Sequence, residues 1–128
     1  MKYCPCGLIF KSKRLAYLDC CGKYIEKDEL APSPESLMRS RYSAFSLLKL
    51  DYLKNTQLDP LLGPLDNTIS WVKLDVIDVS AEKEAHATVT FKAYYKQGLE
   101  LNCLFEKSHF QKIGDKWLYS RGFQLSDL

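Results

Sequence analysis

The chain has 128 residues and contains no run of about 18 consecutive apolar residues, so no membrane span is predicted. Charged and cysteine residues occupy the N-terminus, where a signal peptide has its apolar segment, and we therefore expect a cytoplasmic location. The net charge is only +2, which argues against nucleic acid or an acidic membrane as a partner. With 46% apolar and 12% aromatic residues, the composition excludes a disordered chain and predicts one packed domain.

The sequence also lacks a C-x-x-C pair, although four of its five cysteines lie within residues 4–21. Cys4 and Cys6 form a C-x-C pair, and Cys20 and Cys21 are adjacent. The missing C-x-x-C argues against a thioredoxin-type redox site. A reducing compartment, an odd cysteine count and the adjacent cysteines argue against a disulfide framework. Four thiolates can complete a tetrahedron around Zn²⁺ without an open position, which predicts a structural metal site. Reduced thiols without a ligand are the alternative.

The two glycine-flanked pairs, "CPCG" and "CCG", resemble the short zinc motif at the C-terminus of the SecA translocation ATPase. That motif has the usual form C-P-C-G-S-G-K-x-x-x-x-C-[CH], and the resemblance implies that the zinc ligands are Cys4, Cys6, Cys20 and Cys21. It also implies a protein partner, because the SecA motif engages one. Here S-G-K is absent and the gap between the pairs is five residues longer. We expect "LIFKSKRLAYLD" to form a helical turn that packs Leu15 and Leu18 on the main domain, with Gly7 and Gly22 supplying tight turns.

The rest of the chain is predicted to form helices followed by strands. Ser33 as N-cap, Pro34 in the first turn and apolar residues at helical spacing predict a helix from Pro34 to Leu48, and a second helix is predicted from Asp51 to Thr56. Gly98 and Gly114 mark hairpin turns between later segments. This order predicts an α+β domain with helices on one face of an antiparallel sheet. The predicted strands are "SWVKLDVIDV", "EAHATVTFKAYY", "LELNCLFEKSHFQKI" and "DKWLYSRG".

Two longer segments, "APSPESLMRSRYSAF" and "SHFQKIGDKWLY", resemble the YchJ-like family of small bacterial proteins. The family typically shows A-P-T-P-E-x-L-M-R-S-R-Y-S-A-[FY], then E-x-S-x-F and a G-x-W-x-Y turn. The resemblance implies a SecA-type zinc motif in residues 1–29 and a nuclear-transport-factor-two-like domain in residues 30–128, in which a curved sheet and helices form a cone with an open mouth. The family's T-W-H-P segment is replaced here by "NTQLDP". The later motif corresponds to Glu106, Ser108, Phe110, Gly114, Trp117 and Tyr119.

The interior of such a cone is a candidate ligand pocket, although most of its aromatic residues are expected to pack in the core. For Arg39 and Arg41 we favour a buried ion pair, for example with Glu106, or exposure at the surface. The alternative is that one of them binds a ligand carboxylate or phosphate, which suits the planar guanidinium. The candidate pocket residues are Arg39, Arg41, Tyr42, Trp71, Phe91, Glu106, Ser108, Phe110 and Trp117.

No group of residues shows the spacing of a known catalytic site. Strand alternation turns His109 away from Ser108, and His86 is expected to be a surface or hydrogen-bonded residue. Asp51 or Asp75 would act as a general base only by analogy with enzymes that share the cone fold. Cys103 alternates with apolar residues and is expected to be a core thiol. The sequence therefore names no catalytic residue.

We interpret the chain as a cytoplasmic zinc-binding protein that acts as a protein-interaction or small-ligand-binding module. The alternative is a small-molecule isomerase, dehydratase or hydrolase that uses the cone pocket. A protein partner is expected at the zinc motif and a small ligand in the cone, and the sequence leaves a homodimer open.

Overall fold

The computed structural model describes residues 3–60, 64–83 and 85–126, with side chains except those of residues 82 and 83. Glu84, which begins the second strand segment named above, lies outside the described residues. A short N-terminal segment is followed by helices and then by a sheet of long strands, which confirms the α+β prediction. The elements are β1 (Ile9–Phe10), β2 (Lys13–Arg14), α1 (Gly22–Ile25), α2 (Pro34–Ser46), α3 (Leu50–Asn55), β3 (Ile69–Lys83), β4 (His86–Gln97), β5 (Glu100–Ile113) and β6 (Lys116–Gln124).

The four long strands form one antiparallel sheet in the order β3-β4-β5-β6. Gly98 and Gly114 each have a φ of 64° in the turns of the β4–β5 and β5–β6 hairpins, where both turns were predicted. The register of β3 against β4 shifts three times, and that of β5 against β6 shifts between His109 and Phe110. Because each such bulge bends its strand, the sheet curves and can enclose a space beneath α2.

Helix α2 begins as the sequence predicts. The Ser33 hydroxyl accepts a hydrogen bond from the Ser36 backbone N–H at 3.1 Å, the Ser36 hydroxyl accepts one from the Ser33 N–H at 3.0 Å, and Pro34 stands in the first turn. The helix ends at Ser46, two residues before the predicted end, because Leu48 adopts a left-handed φ of 58°. Helix α3 follows within one residue of its predicted bounds.

The core lies between α2 and one face of the sheet. Alternate residues of β4, Ala87, Val89, Phe91 and Ala93, are buried on that face. The prediction that Cys103 is a core thiol is wrong, because its side chain is exposed. Strand alternation places the buried residues of β5 at even positions, so an odd-numbered residue faces the other side of the sheet. The residues of the main buried cluster are Cys4, Cys6, Cys20, Cys21, Leu37, Met38, Tyr42, Leu74, Val89, Phe91, Ala93 and Phe110.

The segment between the cysteine pairs differs from the predicted helical turn. Residues 9–14 form the β1–β2 hairpin, whose turn places Lys11 and Ser12 at positive φ, and a short 3-10 turn covers Tyr17–Asp19. Leu15 packs against the buried cluster as expected, whereas Leu18 is 50% exposed and that expectation is wrong. In the part of the chain that the structure describes, no helix is long and apolar enough to cross a membrane.

Candidate metal centre and ligand cavity

The structure brings the four N-terminal cysteines together. Their four sulfur atoms all lie within 4.8 Å of one another, and the Sγ atoms of Cys6 and Cys20 are 3.6 Å apart. A tetrahedral ion with Zn–S distances of about 2.3 Å places its sulfurs about 3.8 Å apart, so the cluster has the size of a single metal site. All four side chains are between 1% and 7% exposed, and none forms a disulfide. This group could hold one metal ion.

Backbone turns aim each pair of cysteines at the common centre. Gly7 has a φ of 71°, which only glycine adopts without strain, and its N–H donates to the Cys4 carbonyl at 3.2 Å. Cys20 ends the 3-10 turn, and Cys21 is the N-cap of α1. A Cβ at Gly22 would lie 2.7 Å from the Tyr17 carbonyl oxygen, so this glycine is required for close approach. Both glycines thus serve the turns that the sequence predicts.

Each thiol of the cluster affects the protonation of its neighbours. Hydrogen bonds from neighbouring thiols, that of Cys20 first, lower the pKa of Cys4 and of Cys6. The same neighbours and burial raise the pKa of Cys21. Without a cation the cluster therefore shares protons between its sulfurs, since four thiolates cannot be held together uncompensated. A divalent cation would remove that conflict and release the protons.

Two side chains of α2 contact the cysteine cluster. The Ser43 hydroxyl is fully buried and lies 3.6 Å from the Cys4 sulfur. The Arg39 guanidinium donates to the Cys6 carbonyl oxygen at 3.2 Å and pairs with Glu35 at 2.9 Å. Although burial disfavours its charged form, Glu35 and the Cys6 thiol raise the pKa of Arg39. The cysteine cluster is thereby held against α2.

A second site lies between α2 and the inner face of the sheet, where the structure has a cavity of about 330 Å³. Seven of the nine predicted pocket residues line it, together with Tyr119 of the G-x-W-x-Y motif. The prediction left out five residues, of which Met38 and Phe45 lie in the family motif, whereas Gln57, Ala93 and Leu104 carry no motif signal. The lining residues are Met38, Arg41, Tyr42, Phe45, Gln57, Trp71, Phe91, Ala93, Leu104, Glu106, Ser108, Phe110 and Tyr119.

The other two predicted pocket residues, Arg39 and Trp117, lie elsewhere. Arg39 is two positions from Arg41 on α2, a rotation of about 200° about the helix axis, and therefore contacts the cysteine cluster. Trp117 shares a face with Tyr119 but lies about 7 Å further along β6, in a separate cleft that Leu37 also lines. Among the described residues that line the candidate cavity, Arg41 is therefore the one arginine.

Arg41 is held by neutral oxygens. Its guanidinium donates to the Leu53 carbonyl at 3.1 Å, to the Thr56 hydroxyl at 2.8 Å and to the Gln57 side-chain oxygen at 2.8 Å. No described carboxylate lies within ion-pair distance, so the ion pair with Glu106 that the sequence favours is not formed. Burial lowers the pKa of Arg41 to about 10, because the charged form loses its water.

Glu106 provides the negative charge of the cavity wall. Its carboxylate accepts a hydrogen bond from the Ser108 hydroxyl and lies directly against Gly122 of the neighbouring strand, where any Cβ would overlap it. Burial first, and then the charge of Glu106, raise the pKa of Tyr119 to about 12. Opposite charges thus occupy two parts of one cavity without joining in an ion pair.

The remaining candidates do not approach the cavity. His86 and Asp51 are exposed, and Asp75 pairs with Lys73 at 3.5 Å. His109 packs against the Phe123 ring, while Ser108 lines the cavity, as strand alternation predicts. None of the residues proposed by fold analogy is therefore placed to act on a ligand in the cavity.

The sequence of this chain is similar to that of a family of known proteins. The family model described as "YchJ, middle NTF2-like domain" matches residues 33–122. The chain belongs to the YchJ-like family. A UPF0225 protein of Shewanella sp. strain MR-4 is 37% identical over 97% of this chain and 82% of the relative. A UPF0225 protein of Bordetella pertussis is 39% identical over 93% of this chain and 90% of the relative.

Solved structures agree with the YchJ-like assignment. The solution structure of a SEC-C motif containing protein from Rhodopseudomonas palustris has a TM-score of 0.79 and 32% identity, and the match covers 98% of this chain and 100% of that one. The crystal structure of a SEC-C motif containing protein from Psychrobacter arcticus has a TM-score of 0.81 and 29% identity, covering 100% and 85% of the two chains. The recognised family and cone fold are therefore confirmed.

The YchJ-like segment "LMRSRYSAF" contributes to both candidate sites. Within α2 it supplies Ser43 to the cysteine cluster and Arg41 and Tyr42 to the cavity. The two sites therefore share one helix.

Proposed function

We propose that this YchJ-like chain is a binding module that is stabilised by zinc and that binds a small, mostly apolar ligand in the cavity of its cone. The observation that carries the proposal is the cavity of about 330 Å³, which has aromatic walls and a few polar groups. Small-molecule sites usually start at about 300 Å³ and combine apolar walls with few polar groups. A cone filled by its own side chains would have argued against this function.

Zinc is the metal that best suits the cysteine cluster. Four sulfur donors at tetrahedral spacing favour Zn²⁺ over harder ions such as Mg²⁺ or Ca²⁺. With four protein ligands there is no open coordination position, so the ion would serve structure and not catalysis. The reduced thiols suit the cytoplasm, which we propose as the location.

Binding fits the cavity better than catalysis. Among the described lining residues, Glu106 is the one carboxylate, and no histidine, lysine or cysteine accompanies it. An isomerase or dehydratase needs an acid and a base near the substrate, and Glu106 would have to work with Tyr119 or Arg41, which are poor proton donors at neutral pH. The enzyme alternative therefore stands second to the binding proposal.

The cavity proposal can be tested by filling the space. Ala93→Leu adds apolar volume to a buried lining position, and Ala81→Leu makes the same change at an exposed position of β3. We expect aromatic small molecules that raise the thermal midpoint of the wild type to have no effect on Ala93→Leu and an unchanged effect on Ala81→Leu. Equal responses of the two variants would show that the molecules bind outside the cavity.

A protein partner would bind a separate surface, which lies on the β1–β2 hairpin. Ile9 and Phe10 are 56% and 57% exposed, and Lys11, Lys13 and Arg14 surround them with positive charge. An apolar pair ringed by cations suits an acidic protein segment, in line with the role that the SecA resemblance implies. Phe10→Ser should abolish such binding at low salt and leave ligand binding in the cone intact, which a pull-down with an acidic peptide library would measure.

A further inference from the structure

The charge pattern of the cavity indicates which ligands it takes, on the premise that the cone binds a small molecule as proposed above. We infer that the ligand is a small aromatic carboxylate, whose ring lies between the aromatic walls and whose carboxylate binds Arg41. Nothing in the family resemblance or in the matched relatives assigns such a ligand.

The first argument is the buried charge of Arg41. Its side chain is 6% exposed, and its three hydrogen bonds go to neutral oxygens of Leu53, Thr56 and Gln57. A buried cation usually has an anionic partner, because removal from water is costly without one. The described residues supply no such partner within ion-pair distance, while Arg41 borders an open cavity. An anion on the ligand would complete the site.

The second argument is the shape of the anion that the site can accept. The guanidinium plane is fixed by hydrogen bonds at both Nη atoms and by the Tyr119 ring, whose centroid is 4.7 Å from Cζ. A planar carboxylate matches this planar donor group, whereas a phosphate would bring a second negative charge towards Glu106. Glu106 is held against Gly122, and it can accept a hydrogen bond from a ligand hydroxyl or amine.

The third argument is size and surface. The cavity volume of about 330 Å³ equals that of about eleven water molecules, which is room for one ring or two fused rings. Tyr42 and Trp71 form an edge-to-face pair at 5.8 Å on one wall, and Phe110 and Tyr119 form another at 5.9 Å. Aromatic walls at such angles offer both ring faces and ring edges to an aromatic guest. An aliphatic acid would use fewer of these contacts.

The experiment compares two probes of the same shape by isothermal titration calorimetry. 1-Naphthoate is ionised at neutral pH, and 1-naphthamide is not. We expect 1-naphthoate to bind the wild type at least tenfold more tightly than 1-naphthamide. Arg41→Gln should abolish this preference by weakening only 1-naphthoate, and Arg121→Gln, a control at an exposed arginine of β6 outside the cavity, should preserve it.

The outcomes separate the inference from the proposed function. If 1-naphthamide binds the wild type as tightly as 1-naphthoate, the carboxylate inference is wrong and the cavity still binds ligands. If neither probe binds, both the inference and the ligand-binding function fail. Should Arg41→Gln not fold, Glu106→Gln provides the second variant, and it should strengthen 1-naphthoate binding by removing a negative charge from the wall. An unchanged or weaker 1-naphthoate affinity in Glu106→Gln would contradict the inference.

Discussion

The contact between Ser43 and Cys4 predicts that one buried hydroxyl tunes metal affinity. The Ser43 hydroxyl lies 3.6 Å from the Cys4 sulfur and is fully buried in α2. A metal-bound thiolate has no proton, so the hydroxyl must donate, and the hydrogen bond becomes charge-assisted when the ion is present. Ser43→Ala removes this donor and leaves the four ligands in place.

The size of the effect follows from that change in charge. A hydrogen bond to a charged group is worth about 1.5–3 kcal/mol, whereas one between neutral groups is worth about 1 kcal/mol. Since about 1.4 kcal/mol is a factor of ten, the difference of about 0.5–2 kcal/mol between these two hydrogen bonds predicts that Ser43→Ala weakens zinc binding by roughly two- to thirtyfold. The metal-free protein should lose only about 1 kcal/mol of its unfolding free energy.

Ser40→Ala is the matched control. Ser40 is also fully buried in α2, but its hydroxyl donates to the Leu37 carbonyl at 2.8 Å and contacts the Tyr52 hydroxyl, away from the sulfurs. Competition against a chromophoric zinc chelator measures both variants. An affinity of Ser43→Ala within twofold of the wild type, or an equal loss in Ser40→Ala, would refute the reasoning.

Three further predictions concern the cone. Phe110→Ala should lower the unfolding free energy by about 3–5 kcal/mol in urea titrations, because Phe110 is 2% exposed; a loss below about 1 kcal/mol would contradict its placement. Gly122→Ala should lower the unfolding free energy by about 1 kcal/mol or less, since its new Cβ overlaps only the flexible carboxylate end of Glu106, and Glu106→Ala in the same chain should remove that loss in the same assay; a loss above about 3 kcal/mol would contradict this. Burial raises the pKa of Tyr52 to about 12 from about 10. The protonated Tyr52 side chain therefore stabilises the fold below about pH 10, and this contribution is lost as the pH rises through about 12. The urea midpoint of the wild type should fall between about pH 10 and pH 12, and it should fall less in Tyr52→Phe. An equal fall of the urea midpoint in Tyr52→Phe would contradict the prediction for Tyr52.

The sequence predicted those features that local patterns encode. Alternation in β4 placed Phe91 on the buried face, Ser33 and Pro34 marked the start of α2, and the glycine-flanked cysteine pairs indicated one cluster that could hold a metal ion. Each of these depends on neighbouring residues in the chain. For that reason each could be read before the fold was known.

The features that were missed depend on contacts between distant segments. The lengthened stretch between the cysteine pairs forms a hairpin because Lys11 and Ser12 adopt positive φ, which neither residue type favours. Arg41 finds neutral partners on α3 and beyond it, and no pattern distinguishes these from the predicted Glu106 pair. Cys103 faces outwards because of strand phase, although Leu101 and Phe105, with which it alternates, are apolar. The hairpin, the partners of Arg41 and the orientation of Cys103 were all determined by the tertiary structure.

Metal analysis of the purified chain tests the central claim, that four cysteines hold one structural ion, most directly. We predict about one zinc per chain for the wild type and for Cys103→Ser, whose thiol is exposed, and none for Cys20→Ser, with a lower thermal midpoint in that variant alone. A metal-free wild type that folds as well as zinc-treated protein, or a Cys20→Ser variant that keeps its metal and its midpoint, would contradict the account.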